Sequence, residues 1–190
     1  MLIVSLSVLW ATVFALSHSL RKDMEATISA QQFSTIALIA SDIDRAVRER
    51  LSIVESIARR LAPRILQSDG SAQNYLEQRD VPNGFFNWGI IVIDARGIAI
   101  ASTPEPLKRR GIDFSNYPGV AKVLREGRTF VADPVFSQHS QQPVVAMLVP
   151  IFAPDGKTIG AVIGVTNLAK PNFFDEISAA KYGITGDFVV

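Results

Sequence analysis

Residues 143–167, PVVAMLVPIFAPDGKTIGAVIGVTN, decide the fold predicted for this chain. Two apolar runs rich in β-branched residues, Val144 to Phe152 and Thr158 to Val165, flank Pro154-Asp155-Gly156-Lys157, which is typical of a tight turn. Neither run alternates between apolar and polar residues. We therefore expect an antiparallel hairpin in the middle of a sheet that is covered on both faces.

Two glycines and one proline inside this hairpin are predicted to have particular structural roles. Gly160 and Gly164, four apart on one face of the second strand, would let another backbone or a ligand approach the sheet closely. Pro150 has no N–H to donate to a ladder, so it should mark a bulge or a non-pairing position in the first strand.

Composition excludes several classes of function. The 190 residues hold 19 basic and 18 acidic side chains, a net charge of +1, whereas nucleic-acid-binding proteins usually carry a strongly basic patch. The chain has no cysteine, which excludes thiol catalysis, cysteine-ligated metals and disulfides. We expect no nucleic-acid partner.

The N-terminal run from Leu2 to Leu20 has no charged residue and is about as long as a bilayer-spanning helix, roughly 20 residues. We interpret residues 1–22 as a transmembrane helix. A signal peptide is the alternative, because Ala15 and Ser17 have a cleavage-like spacing, but a basic n-region is missing. Arg21-Lys22 would, by the positive-inside rule alone, place the rest of the chain in the cytoplasm.

A long helix is predicted from Asp23 to Leu66, because apolar residues recur at steps of three and four with charged residues between them. About 40 helical residues extend about 60 Å, which is too long for a compact domain of this size to cover. We therefore assign residues 23–70 to a signalling helix that pairs with a second copy of the chain as a homodimer. Ser71 could cap a shorter helix that runs through Asp80.

The chain between these helices and the hairpin supplies the other half of the sheet. We predict strands at Phe85 to Ile93 and Ile98 to Ser102, joined by a turn at Asp94-Ala95-Arg96-Gly97. The basic cluster Lys108-Arg109-Arg110 is interpreted as an exposed loop face. Ser115 is expected to cap a helix from Asn116 to Glu126 that Gly127 ends.

Two short β pieces, Thr129 to Ala132 and Val135 to Ser137, complete the predicted elements. Their order, with IVIDARGIAIAS at 91–102, GIDFSNYPGVAKVLREG at 111–127 and VPIFAPDGKTIGAVIGVTNL at 149–168, resembles the double-Cache (dCACHE) extracytoplasmic sensor domains of bacterial transmembrane receptors.

The resemblance implies an α+β fold, in which an N-terminal transmembrane helix and a long helix precede a PAS-like antiparallel sheet, the membrane-distal Cache module, at residues 71–170. Residues 171–190 would be a crossing segment and the start of a truncated membrane-proximal module. It also implies a periplasmic sensor region, anchored in the bacterial inner membrane, that binds a small solute. The missing cytoplasmic output domain could be a histidine kinase, a diguanylate cyclase or a chemotaxis signalling domain.

One subset of this family binds amino acids through an Arg-x-Trp-Tyr run ahead of the short helix, a later tyrosine after a proline, and an aspartate ending the last strand. Here those regions read Phe114-Ser115-Asn116-Tyr117-Pro118, Val135 after Pro134, and Thr166-Asn167. Only Tyr117 matches. An α-amino acid ligand is therefore not expected, since the arginine and the aspartate that would pair with it are absent.

No catalytic chemistry is expected. The histidines are His18, inside the apolar run, and His139, in a polar loop, and neither has a neighbour in sequence that completes a metal site or a triad. The chain has no nucleophile elbow, no phosphate-binding glycine loop and no paired-carboxylate motif. We expect no enzyme activity, no metal and no cofactor.

The resemblance places a ligand pocket between the strands Ile98–Ser102 and Val144–Val149, under a cover formed by Phe114–Val120 and Thr129–Ser137. The candidate ligand-binding residues are Tyr117, Asp133, Phe136, Phe130, Ser102, Arg128 and Met147. The two phenylalanines could instead be plain core, and Asp133 could simply initiate a turn before Pro134. The alternative function is a membrane-anchored structural or dimerisation domain without a small-molecule ligand.

Overall fold

The computed structural model describes residues 10, 34, 36–62, 65, 70–78, 85–104, 107–138 and 140–178. Residues 45–180 and 188–190 form one compact unit, and residues 1–44 and 181–187 form another. Across the described residues, no helix is both long and apolar enough to cross a membrane. The span predicted at residues 2–20 lies outside them except for Trp10.

Helix α1 occupies residues 36–62, inside the predicted helix at 23–66, whose remaining residues are mostly outside the described ones. Within the larger unit its apolar stripe is buried: Val54 and Leu61 are fully inaccessible, and Ile57 and Ala58 nearly so. These four residues fall at steps of three, one and three, which places them on one side of the helix. That side packs into the hydrophobic core.

A six-stranded, entirely antiparallel sheet forms the centre of this unit, with the order β2-β1-β6-β5-β3 and with β4 also paired to β5. The strands are β1 Ile90–Asp94, β2 Ala99–Thr103, β3 Phe130–Val131, β4 Val135–Phe136, β5 Pro143–Phe152 and β6 Thr158–Asn167. Three further helices are α2 Ser71–Glu77, α3 Pro118–Glu126 and α4 Phe173–Ser178. The predicted hairpin is thus confirmed as β5 and β6, with β6 at the centre of the sheet.

Alternate residues of the hairpin face two separate cores. Met147 and Val149 of β5 and Val162 of β6 pack with the buried side of α1. Leu148 of β5 and Ile163 of β6 pack with α3 on the opposite face. Both faces of the hairpin are covered, which explains the absence of polar alternation in its sequence.

Pro150 takes neither of its two predicted roles, a bulge or a non-pairing position. It pairs in register with Ala161, and the irregularity in β5 falls between Ile151 and Phe152. The carbonyl of Ala146 accepts a hydrogen bond from Ala132 N, on the side of β5 away from β6. The backbone of Pro150, four residues further along the strand, points to the same side. Leu148 is the last residue of β5 paired to β3, so no described strand lies there to accept an N–H from residue 150, and proline is tolerated.

The close approaches predicted at the two hairpin glycines are made by the protein itself. A Cβ on Gly160 would lie 2.2 Å from the carbonyl oxygen of Ile93, and one on Gly164 would lie 2.5 Å from the ring of Phe86. Phe86 belongs to the core that contains α1. Gly164 therefore serves packing on the face opposite α3, whereas Gly160 allows β6 to lie close to the backbone of β1.

The strand predicted from Phe85 begins only at Ile90. Gly89 has a φ of 86°, a conformation that ends the extended backbone on its N-terminal side, and its N–H donates to the carbonyl of Phe86 at 2.9 Å in a turn. Helix α3 likewise begins later than predicted, with Tyr117 at the N-cap position instead of Ser115, whose own N–H donates to Asp113 Oδ1 at 2.7 Å. Helix α2 has Gly70 at its N-cap position, so Ser71 is not a cap.

Candidate functional site

A cavity of about 430 Å³ lies on the α3 face of the sheet. Its floor comes from the three central strands β1, β6 and β5, where alternate residues point towards α3: Ile91, Ile163, Val165, Val144, Ala146 and Leu148. The predicted floor strand at 98–102, observed as β2, does not contribute to it, because β2 is the outer strand of the sheet. The volume is suited to a small organic molecule.

The cover of the cavity comes from the two predicted segments, 114–120 and 129–137, and from the loop that precedes them. Residues 107–120 supply Leu107, Arg109, Ile112, Phe114, Tyr117, Gly119 and Val120, and residues 130–137 supply Phe130, Ala132, Asp133, Val135 and Ser137. Ser140 and Trp88 complete the lining.

Aromatic side chains form much of the wall. The rings of Phe114 and Tyr117 are 5.5 Å apart and tilted by 41°. Phe130 packs against the start of α3 so tightly that a Cβ on Gly119 would lie 2.9 Å from its ring. Trp88 is held beside β6, because its N–H donates to the carbonyl of Val165 at 3.2 Å.

Arg109 is the cation of this wall. Only 7% of its surface is exposed, and its Nη2 donates a hydrogen bond to the carbonyl of Trp88. Its Nη1 is buried without a hydrogen-bond partner. Burial lowers the pKa of the guanidinium to about 10, because removal of water disfavours the charged form. Even so, Arg109 is charged at neutral pH.

The other polar groups of the lining differ in accessibility. Ser140 is half-buried, and its Oγ is a buried atom without a hydrogen-bond partner. Asp133 is exposed to solvent and is the one carboxylate among the described lining residues. The cavity is therefore apolar and aromatic over most of its wall, with a buried cation and an exposed anion.

Comparison with known proteins places this architecture. No protein-family model matches the chain, and neither does any curated protein sequence. Among solved structures, an extracellular ligand-binding receptor from Desulfohalobium retbaense aligns at 20% identity with a TM-score of 0.62, over 76% of this chain and 26% of its own. The described module has the fold of a Cache sensor domain.

Two further structures share the Cache fold. The ligand-binding domain of the Pseudomonas fluorescens chemoreceptor CtaA, in complex with L-serine, aligns at 18% identity with a TM-score of 0.62, over 77% of this chain and 60% of its own. The sensor domain of the V. cholerae histidine kinase DctB aligns at 18% identity with a TM-score of 0.59, over 73% and 55%. The chain thus spans less than two thirds of each of these relatives.

The described module brings three of the seven candidate residues to its cavity, namely Tyr117, Asp133 and Phe130. The remaining four are elsewhere. Phe136 is 72% exposed and Arg128 is also exposed, while Met147 is buried in the opposite core with α1. Ser102 is buried on the outer strand, where its N–H and carbonyl pair with the side chain of Gln73.

The structure also corrects one assignment that bears on function. The cluster 108–110 is not a uniformly exposed loop face: Lys108 and Arg110 are exposed, but Arg109 is buried in the cavity wall. Asn167, which ends the last strand, is fully buried and is not among the residues that line the cavity. Its backbone N–H and carbonyl pair with the side chain of Asn87.

The described residues offer no metal centre, since none of their His, Asp and Glu side chains cluster in threes. His139 lies outside the described residues. The related structures named above are described as ligand-binding or sensor regions. The arrangement is therefore suited to holding a small molecule through apolar contacts and a few hydrogen bonds.

Proposed function

We propose that residues 71–170 are the sensor module of a bacterial membrane receptor and bind a small solute in the cavity beneath α3. The observation that supports this most directly is the cavity itself: about 430 Å³ with a mainly apolar wall that contains a buried cation. A structural domain would gain stability by filling such a space, because empty apolar volume forfeits packing interactions. A ligand would supply those contacts.

The remaining residues fit the same proposal. Residues 1–22 would anchor the chain in the inner membrane, residues 23–70 would carry the signal, and residues 171–190 would lead into a second module of a longer receptor. The sensor would then face the periplasm. The Cache fold supports the assignment of a sensor module, and the uncharged run at residues 2–20 supports the anchor.

Tryptophan fluorescence tests ligand binding directly. The chain has two tryptophans, and Trp88 lines the cavity. A Trp10→Phe variant of the full chain leaves Trp88 as the sole tryptophan, so a ligand in the cavity should change its emission. We expect a screen of small carboxylates, amines and nucleobases to contain compounds that shift this signal and raise the melting temperature. At 100 times the dissociation constant, a specific ligand adds about 2.7 kcal/mol of stability.

Two results of this screen would contradict the proposal. If a hit shifts the melting temperature but keeps its full affinity in Ala146→Leu, which places a larger side chain in the cavity wall, it binds elsewhere. If no compound shifts either signal, the proposal of a ligand sensor fails, and a dimerisation domain becomes the better description.

The alternative function, a dimerisation domain, is favoured by an observation on residues 36–44 of the smaller unit. Ile36 and Leu38 are 56% and 51% exposed, although α1 carries an apolar stripe. A second copy of the chain, aligned in parallel, would cover Ile36 together with Ile39 and Ile43, which lie on the same side of the helix, whereas Leu38 faces away from that side. Because the native chain has no cysteine, single cysteines at Ile36, Ile39 and Ile43 should cross-link in membranes with a helical period. Absence of cross-linking at all positions along 36–47 would exclude a parallel homodimer through this helix.

A further inference from the structure

Buried polar atoms without partners are concentrated in residues that line the cavity. Within the described residues, three buried side-chain nitrogen or oxygen atoms have no hydrogen-bond partner: Arg109 Nη1, Ser140 Oγ and Asn167 Nδ2. Two of the three, those of Arg109 and Ser140, belong to residues that line the cavity. Buried polar groups in folded proteins are nearly always paired, so a pair of exceptions in one wall points to something that binds there.

Of the two residues, Arg109 has more hydrogen-bond donors that need partners. A guanidinium has five N–H donors and no acceptor, and it stays charged at neutral pH. In the described part of the chain, no carboxylate forms an ion pair with it, and its one hydrogen bond goes to the neutral carbonyl of Trp88. The carboxylate of Asp133 lies in the same wall but is exposed, where water hydrates it and screens its charge.

A buried, unpaired cation is unfavourable unless an anion or water completes its contacts. Backbone carbonyls can accept some of the donors but leave the charge uncompensated. A carboxylate matches the planar fork of a guanidinium and forms charge-assisted hydrogen bonds, which are about twice as strong as neutral ones.

We propose that Arg109 is the anchor for the carboxylate of a small ligand whose apolar body fills the rest of the cavity, with the Ser140 hydroxyl as a further donor. This inference rests on the proposed function, because it specifies the class of ligand for the same cavity. The position differs from the arginine expected in the amino-acid-binding pattern, since it lies five residues ahead of Phe114, in the loop after β2.

The rest of the wall determines what the carboxylate is attached to. Phe114, Phe130, Leu148 and Ile163 provide apolar surface, so the body of the ligand should be aliphatic or aromatic. A phosphate is a poorer match, since Arg109 is the sole cationic side chain among the described lining residues and a dianion would remain undercompensated. The expected ligand is a monocarboxylate.

Matched acid and amide pairs test this chemistry. The probes are butyrate, 4-methylpentanoate and 3-phenylpropanoate, each with its neutral amide of the same shape, titrated against Trp88 emission in the full-length Trp10→Phe chain at pH 7.5. We expect at least one acid to bind about tenfold or more tightly than its amide, as the loss of a charge-assisted hydrogen bond predicts.

Two neighbouring arginines provide a matched pair of variants. Arg109→Gln should reduce the affinity for the acid to that for the amide, whereas Arg110→Gln, at an exposed cation, should leave it unchanged. Arg109→Lys keeps a charge and should bind the acid with intermediate affinity, so it provides a second measurement if Arg109→Gln is unfolded by circular dichroism.

The outcomes separate this inference from the proposed function. If the amides bind as tightly as the acids, the cavity is a ligand site but the assignment of a carboxylate is wrong. If the acids bind preferentially but retain their affinity in Arg109→Gln or Arg109→Lys, the anchor is wrong. If none of the three acids binds, the inference is overturned, while the broader screen still decides the proposed function.

Discussion

Gly89 and Gly111 form a natural pair for testing how the site is held, because they share a backbone conformation but not an environment. Their φ angles are 86° and 84°, a region that residues with a Cβ adopt at a cost. A Cβ on Gly89 would lie 1.8 Å from the carbonyl oxygen of Thr103, whereas one on Gly111 would meet nothing within 4 Å. Alanine at each position therefore separates backbone strain from steric overlap.

The expected magnitudes follow from that difference. Gly111→Ala should cost only the left-handed conformation, about 1–2 kcal/mol of the free energy of unfolding. Gly89→Ala adds an overlap that can be relieved only by separating residue 89 from the Thr103 segment. That movement strains the two hydrogen bonds that join this turn to β6, Trp88 N to Val165 O at 3.2 Å and Val165 N to Gly89 O at 2.9 Å. With about 1 kcal/mol for each bond, the total is about 3–4 kcal/mol.

Thermal unfolding of the two variants measures the difference. For a module of this size, 1 kcal/mol corresponds to about 3–4 °C in melting temperature, so we expect a loss of about 3–8 °C for Gly111→Ala and about 9–16 °C for Gly89→Ala. Emission of Trp88 should move to longer wavelength in Gly89→Ala alone, since only this change displaces Trp88 from the cavity wall. Equal losses in the two variants would refute the close contact between Gly89 and Thr103.

Three further outcomes are expected. Gln73→Ala leaves the buried N–H and carbonyl of Ser102 without partners, so it should lower the free energy of unfolding by about 2–4 kcal/mol in a denaturant titration. The control Asn74→Ala, on the exposed side of the same helix, should be nearly neutral. Ala146→Leu should weaken ligand binding in a titration of Trp88 emission while leaving the melting temperature within a few degrees, because the added carbons enter the cavity. Burial would raise the pKa of Asp94, but hydrogen bonds within its own turn outweigh burial and hold the pKa below 3.8. The ionised carboxylate therefore stabilises the folded protein above pH 3.8, and this stabilisation is lost as the pH falls below it. Acid titrations should therefore be steeper for the parent than for Asp94→Asn.

Much of the fold was predictable because local chemistry and tertiary context agree. Asp155 Oδ1 accepts from Lys157 N at 3.0 Å in the turn of the central hairpin, and Asp94 accepts in the same way from Arg96 N at 2.9 Å in the first hairpin. Such aspartate turns are encoded within a few residues. The start of β1 was not predictable, since Phe85 and Phe86 have strong β propensity and the turn that ends at Gly89 is imposed by Thr103 and β6.

The candidate site was harder to predict, because the sequence does not show which alternate residues of a strand face the cavity. In an apolar strand without polar alternation, the sequence does not reveal which residues face which side, and a shift of one residue exchanges the faces. Met147 was chosen on β5, whereas its neighbours Ala146 and Leu148 line the cavity. Arg109 was missed because Lys108 and Arg110 flank it and only the path of the loop distinguishes the three. An apolar residue on each side of the cluster, Leu107 and Ile112, was the available signal, and both line the cavity.

The two faces of the sheet differ in how completely they are filled, and this difference makes a sensor possible. On one face, Met147, Val149 and Val162 pack against a helix whose residues Val54 and Leu61 are fully buried. On the other face, α3 has only nine residues and leaves space beside it. Because β5 contributes alternate residues to both faces, a ligand that pushes on Leu148 bears on the same backbone that positions Met147 against α1. Packed cores respond to such a displacement by shifting elements as units, so under the proposed function the strand shared by both faces would be the physical link between the cavity and α1.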